Sequence, residues 1–360
     1  MRWKPTWGAA PSSAASLHTL PKGPSGCQSV SRATMGTHQA GDIVLGRFRL
    51  DRPLASGAMG DVWAGTETAS GRAVAVKLAT GDGVLRADRE AEVLAGLDHP
   101  GVVGFVAGGE DGDAHVLVME LLDGVPLSTH IGGAPPDVGE ALDLAAQLAD
   151  ALVHVHERGV VHRDVKASNA IVVRRGGRLH AVLIDFGLGL TQGSARVSVD
   201  NLVIGSTHTM PPEQVQGGKA RAPGDVYSLG AVAFRMVCGR YPYHASSAVQ
   251  VLAMHAHAAV PTLAQRARRP VKVPRGLEGL LQQMLAKDPG QRPTASEVSD
   301  RLGALAAVPR DRWVQVEPEN AEPMSEPPLP PPPTRDRRPM VLAAAASVLF
   351  ALAAAWWFVA

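Results

Sequence analysis

The apolar pattern of this chain changes period once, and that change limits the available folds more than any other feature. From about residue 47 to 120, apolar residues alternate with others, as in Arg47-Phe48-Arg49-Leu50 and Ala73-Val74-Ala75-Val76-Lys77. This is the period of a strand. Gly57, Gly60 and Ser70-Gly71 punctuate it as turns. One helical segment interrupts, around Arg86 to Leu97, with Val93, Leu94 and Leu97 at helical spacing, and His115 to Leu121 reads as another apolar strand. From about 137 to 306 the spacing is helical. Asp137 to Arg158 carries Leu144, Leu148, Leu152 and Val155 on one face, and Gly159 closes it. Strands followed by helices, rather than alternating with them, predict an α+β chain in two lobes: a small β-rich one at 47–120 and a larger α-helical one at 125–306. The join falls near Glu120 to Val125, and clefts between lobes are common ligand sites.

The two ends differ from this middle. Residues 1–41 are rich in Ser, Pro, Gly and Ala without apolar period, and Pro5, Gly8 and Pro11 interrupt any signal-peptide core, so the segment is expected to be disordered. Met35 offers a second start. Residues 307–339 are expected to form a Pro-rich juxtamembrane linker, with a proline cluster at Pro327 to Pro333 and then Arg335, Arg337 and Arg338. Met340 to Ala360 runs without a charge, long enough for a transmembrane helix, with Trp356 and Trp357 near its far end. A buried helix of a soluble protein is the competing reading, but the proline spacer leaves this segment no core to pack on. The arginines on its N-terminal flank would keep the folded region cytoplasmic, as a single-pass protein of the cell membrane. With no sequence after Ala360, no external sensor domain is expected. A net charge of +1 gives no reason to expect nucleic acid. Two distant cysteines, Cys27 and Cys238, form neither a disulfide framework nor a metal cluster.

Four elements carry the chemistry. The stretch Leu54-Ala55-Ser56-Gly57-Ala58-Met59-Gly60-Asp61-Val62 nearly spells a glycine-rich phosphate loop, with Ala55 where a first glycine would stand. Val74-Ala75-Val76-Lys77 ends a strand on a lysine. His162-Arg163-Asp164-Val165-Lys166-Ala167-Ser168-Asn169 follows the long helix. Asp185-Phe186-Gly187 ends the apolar run Ala181 to Ile184. In this order the four are specific. Residues 47–306 resemble the eukaryotic-type (Hanks-type) serine/threonine protein kinase family, in its bacterial membrane-anchored branch.

The resemblance implies a bilobal protein-kinase fold and roles for individual residues. Lys77 would hold the α- and β-phosphates of ATP, steadied by Glu90, with Glu92 as the alternative because the stretch between Lys77 and the helix is short. Asp164 would take the acceptor hydroxyl proton, and Lys166 would steady the γ-phosphate. Asp185 and Asn169, hard oxygen donors, would hold Mg²⁺, or Mn²⁺ in its place. Leu54, Val62 and Ala75 would sandwich the adenine. Met119 would line the pocket behind it, and the backbone of Glu120 and Leu122 would bond it. Ala55 to Asp61 would cover the phosphates. Met210-Pro211-Pro212-Glu213 resembles the end of an activation segment, Arg292 the arginine that pairs with its glutamate, and Asp225 the helix aspartate that bonds the catalytic-loop backbone. Thr191, Ser194, Ser198, Ser206, Thr207 and Thr209 lie in that segment. Arg163 would pair with a phosphorylated residue there, whereas Ser206 would be structural.

The implied partners are ATP, proteins bearing Ser or Thr, the membrane, and a second copy of the chain for trans-autophosphorylation. Two other readings compete: a pseudokinase scaffold, motivated by Ala55, the short Lys77–Glu90 spacing and Pro211, and a small-molecule kinase.

Overall fold

The computed structural model of the chain describes residues 38–57, 60–132, 135–187 and 207–319. The expected disordered N-terminus up to residue 37, the membrane span at 340–360, Ala58 and Met59 of the glycine loop, and Thr191, Ser194, Ser198 and Ser206 all lie outside them. Among the described residues no helix is long and apolar enough to cross a membrane.

The small lobe is one antiparallel sheet with a helix against it. Its strands are β1 (Ile43–Val44), β2 (Phe48–Gly57), β3 (Gly60–Glu67) and β4 (Ala73–Thr80). After the helix α1 (Val84–Ala95) come β5 (Phe105–Asp111) and β6 (Ala114–Glu120). The spatial order is β1-β2-β3-β4-β6-β5. The strand period decides which side each residue serves. Val74, Val76 and Leu78 of β4 join Phe48, Leu50, Trp63, Val116 and Val118 in a core on one face. Ala75 and Lys77, one residue out of step, must point to the other face. On β6, Leu117 and Met119 lie on that second side and merge with Ala91 and Leu94 of α1 into the core of the large lobe.

The large lobe begins with β7 (Gly124–Pro126), the short helix α2 (Leu127–His130) and the long α3 (Val138–Glu157). Asp137 caps α3 by accepting from the Gly139 amide at 2.9 Å. The strands β8 (Ala170–Arg175) and β9 (Arg178–Leu183) complete a three-stranded sheet with β7. Then come α4 (Pro212–Val215), α5 (Ala222–Cys238), α6 (Ala248–His257) and α7 (Leu263–Arg266). The rest is β10 (Val271–Val273), α8 (Leu277–Met284), α9 (Ala295–Ala306) and β11 (Val314–Val316). Helix α5 is apolar almost all round, as a helix enclosed on every side must be. Gly239 ends it in the left-handed conformation, φ 74°.

The folded region runs past residue 306, where the sequence placed the start of the linker. Strand β11 pairs antiparallel with β10, the Trp313 indole donates to the Val308 carbonyl at 2.9 Å, and Arg310 pairs with Asp137 at the start of α3. The linker expectation is corrected at this end: its first 13 residues, 307–319, belong to the large lobe. A three-residue strand with only Val314 and Val316 as apolar signal is too short for periodicity to reveal.

Candidate active site

Lys77 sits on the face of β4 away from the Val74–Val76–Leu78 core, buried to 6% exposure. Its ammonium donates to Glu90 Oε2 at 2.8 Å and to Asp185 Oδ1 at 2.7 Å. An ammonium has three N–H bonds, so one donor remains for a ligand oxygen. Glu90, rather than Glu92, meets the lysine because α1 starts early, at Val84, directly after a single 3-10 turn over Gly81–Gly83. That phase turns Ala87, Glu90, Ala91 and Leu94 inward and leaves Glu92 exposed. Burial opposes the charge on Lys77, but Asp185 and Glu90 outweigh it and raise the amine above its ordinary pKa. Burial also lifts the Glu90 carboxyl, with Lys77 pulling against it. The two directions agree once the charges are counted: the cation faces two carboxylates, and each carboxylate shares one cation.

The catalytic loop is held from below. Asp225, in the first turn of α5 and 1% exposed, accepts from the amides of His162 and Arg163, both at 2.8 Å, and lies 2.9 Å from His156 Nε2. Arg163 has φ 70° and Asp185 φ 52°. Such left-handed angles cost a non-glycine residue about 1–3 kcal/mol each and persist only where the surroundings enforce them. The two strained residues are fastened to one another's loops, since the Gly187 amide donates to the His162 carbonyl at 2.9 Å and the His162 ring stacks on Phe186 at 4.6 Å. Gly187 could not be replaced here: a Cβ would stand 2.7 Å from that of Asp164.

Asp164, Lys166, Asn169 and Asp185 converge on one point. Lys166 Nζ is 2.6 Å from Asp164 Oδ2, and Asn169 Nδ2 donates to the same oxygen at 3.0 Å and to the Asp164 carbonyl at 3.1 Å. That amide fixes Asn169 so that its Oδ1 is left for another partner. Asn169 Nδ2 also lies 3.4 Å from the Asp185 carbonyl. The amide oxygen of Asn169 and the carboxylate of Asp185 are a hard donor pair beside a lysine, which suits a divalent cation that also carries phosphate oxygens.

Five of the residues expected at the nucleotide are brought onto one side of the sheet. Val62 pairs with Lys77, Ala75 with Met119, and Ala55 with Val62. Directly opposed residues share a face, so Ala55, Val62, Ala75, Lys77 and Met119 line one side of the sheet. Leu54 sits at the register shift between Pro53 and Ala55 and is 41% exposed. At the hinge the Glu120 amide already donates to the Gly104 carbonyl at 2.8 Å, which leaves only its own carbonyl for a ligand. In the glycine loop Gly57 pairs with Gly60 across the turn, and Ser56 pairs with Asp61.

The activation-segment end is anchored as the sequence suggested. Glu213 meets Arg292 in a two-pronged ion pair, and Ser228 donates to the Thr209 carbonyl at 2.7 Å. Missed from sequence were His156 and a basic cluster around Tyr241. The residues of that cluster are scattered from 208 to 268, and no spacing rule joins them.

A lysine–glutamate pair under a glycine hairpin, beside an aspartate–lysine–asparagine loop and a strained aspartate, defines a phosphoryl-transfer site of the protein-kinase type. The protein kinase domain model matches residues 48–301, and the chain belongs to that family. It is similar to the serine/threonine-protein kinase pkn2 of Myxococcus xanthus, 38% identical over 272 residues, covering 73% of this chain and 33% of the relative. It is also similar to serine/threonine-protein kinase PrkC of Bacillus subtilis, 32% identical, covering 71% of this chain and 40% of the relative. The chain thus spans about a third to two-fifths of the length of these two relatives. Among solved structures it resembles the crystal structure of a point mutant of the Mycobacterium tuberculosis PknI kinase domain, at TM-score 0.57 and 25% identity, covering 76% of this chain and all of that one.

Proposed function

We propose that this chain is a serine/threonine protein kinase that transfers the γ-phosphoryl group of ATP to Ser or Thr hydroxyls of proteins. It acts at the cytoplasmic face of the membrane through residues 340–360 and phosphorylates its own activation segment in trans. The observation that carries the enzymatic part is the assembled Lys77–Glu90 pair at 2.8 Å together with Asp164, Lys166 and Asn169 in mutual contact. Every charged position the chemistry requires is filled, which favours an active enzyme over a scaffold.

In this reading Lys77 uses its remaining donor on the α/β-phosphate oxygens and Glu90 keeps it there. Asp185 and Asn169 would hold the divalent cation, which neutralises charge on the phosphates when bound. Asp164 orients the acceptor hydroxyl in line with the γ-phosphorus and receives its proton. The hydroxyl oxygen forms the new P–O bond, the bond to the β-phosphate oxygen breaks, and ADP leaves. Lys166, bonded to Asp164, would steady the γ-phosphoryl oxygens during transfer. The apolar face formed by Val62, Ala75 and Met119 takes the adenine.

Incubation of the full chain with labelled ATP and Mg²⁺, alongside Asp164→Asn, tests the enzymatic claim. Equal incorporation by both proteins refutes it. Fractionation of cells expressing the chain with and without 340–360 tests the membrane claim, which fails if the full chain is already in the soluble fraction.

A further inference from the structure

Beside the catalytic loop lies a second cavity, of about 570 Å³, that the transfer chemistry does not use. Lys166, Ala167 and Ser168 form one wall, so it borders the loop that carries Asp164. The rest comes from four other parts of the large lobe: Ser128 of α2, the end of α5 with its following loop, the end of α7 with the residues after it, and His208 near the end of the activation segment.

Four arginines line this cavity, Arg235, Arg240, Arg266 and Arg268, together with His208 and His244. The described lining contains no carboxylate, and none of the four arginines makes an ion pair with one among the described residues. Four guanidiniums gathered on one cavity concentrate positive charge locally in a chain whose net charge is only +1. Two arginines elsewhere in the large lobe serve as joints through carboxylates, Arg292 with Glu213 and Arg310 with Asp137.

The cluster is also built rather than loose. Arg266 donates through Nε and Nη2 to the Tyr241 carbonyl at 3.2 and 3.1 Å. Arg235 donates to the Tyr241 hydroxyl at 3.0 Å and its guanidinium lies 4.8 Å from the centre of the ring. The His208 ring is parallel to that of Tyr241 within 3°, at 4.8 Å. Tyr241 is thus the pillar around which Arg235, Arg266 and His208 are set. Burial, reinforced by Arg240 and Arg268, pulls Arg266 below its ordinary pKa, as expected of like charges held together with no carboxylate paired to them among the described residues. Gathering them costs free energy that an entering anion would recover, and guanidinium groups are the side chains best shaped to chelate carboxylate or phosphate.

We propose that this cavity is a substrate subsite that selects acceptor peptides with an anionic side chain, a carboxylate or a phosphoryl group, close to the Ser or Thr that receives phosphate. Arg240 and Arg268, both exposed at its rim, are the specificity-determining residues. The proposal rests on the protein-kinase reading and adds a substrate class to it.

The test uses the full chain and three synthetic Ser peptides of one backbone, flanked by glutamine, by glutamate or by phosphoserine. The glutamate or phosphoserine peptide should exceed the glutamine one in kcat/KM by about tenfold or more, the increment expected of one good charge-assisted contact. Preference for both anionic peptides assigns a carboxylate as sufficient, and preference for the phosphoserine peptide alone assigns a phosphoryl group. In the double variant Arg240→Gln/Arg268→Gln the preference should collapse toward one, through KM, with the melting temperature unchanged. Arg240→Glu should favour a lysine-flanked peptide, which loss of fold could not produce. Equal use of all three peptides by the wild type, or a preference untouched in the double variant, overturns the subsite while leaving the kinase reading intact. Failure to label any peptide, with Asp164→Asn indistinguishable from wild type, would instead overturn the kinase reading.

Discussion

The guanidinium of Arg292 grips the carboxylate of Glu213 in two parallel bonds, Nη1 to Oε1 and Nη2 to Oε2, each 2.8 Å, with the arginine side chain wholly enclosed. The remaining donors go to the carbonyls of Pro223, Ala286 and Lys287. One residue thereby ties the end of the activation segment to the start of α5 and to the turn after α8.

Removing one partner of such a pair leaves the other charge without compensation in a mostly buried place. Arg292→Ala should destabilise the domain by roughly 3–5 kcal/mol. Arg292→Lys should recover little, because an ammonium cannot make the two-pronged bond and also reach three carbonyls. Urea unfolding of the three proteins decides the matter. A lysine variant as stable as wild type would show that charge alone holds the joint.

Asp225 has a different task. Its two bonds, to the His162 and Arg163 amides, hold Arg163 at φ 70°. In Asp225→Asn one oxygen becomes an NH₂ that faces a backbone N–H, so one contact turns repulsive. The loop should relax and displace Asp164. We expect kcat to fall about 10²-fold, the usual cost of a misplacement near 1 Å, with the KM for ATP little changed. A matching loss in ATP affinity would instead mean that α5 supports the nucleotide pocket.

The glycine loop separates three positions that look alike in sequence. Gly60 has φ 113°, and a Cβ there would lie 2.0 Å from the Leu78 carbonyl oxygen. Gly57 has open space around its Cβ position, and Ala55 sits in β2 at an ordinary φ. Gly60→Ala should therefore cost on the order of 2 kcal/mol of stability from backbone strain and collision. Gly57→Ala should leave stability alone and raise the KM for ATP only. Ala55→Gly should shift that KM by about 1 kcal/mol or less, a few-fold. Melting curves and ATP titrations of the three variants test the ranking, and an unstable Gly57→Ala would refute it.

Much of this site was legible in the sequence because local rules place its residues. Strand period puts Lys77 on the face opposite to Val76, and the loop motifs bring Asp164, Asn169 and Asp185 with fixed spacing. The choice between Glu90 and Glu92 was legible too, had helix phase been read from Ala87, Ala91 and Leu94 rather than from the length of the preceding loop. The register shift between Pro53 and Ala55, which breaks the alternation beside Leu54, was not legible in the sequence. The basic cavity was not legible at all: Arg235 and Arg268 are 33 positions apart, and they share a cavity only because the loop carrying Tyr241 folds back against α7.

The last expectation concerns pH and comes from Lys287. Its ammonium lies among the Tyr243 hydroxyl, 2.8 Å, and the carbonyls of His255 and Met254, 2.7 and 3.2 Å. Burial, with Arg292 nearby, pulls it down to about 7. In the unfolded chain the same amine titrates near 10.4. Between these values the unfolded state binds the extra proton, so stability rises with pH across that window and is flat with respect to Lys287 below it. Cys238 acts in the opposite sense at the upper end. Burial pushes its thiol up to about 12, so above its ordinary value of 9.0 the unfolded state loses a proton that the folded state keeps. The clean range is therefore from about pH 7 to about 8.5. There, stability from denaturant unfolding should climb with pH in the wild type and much less in Lys287→Met. Parallel slopes in the two proteins would mean that the three oxygen acceptors keep Lys287 charged throughout.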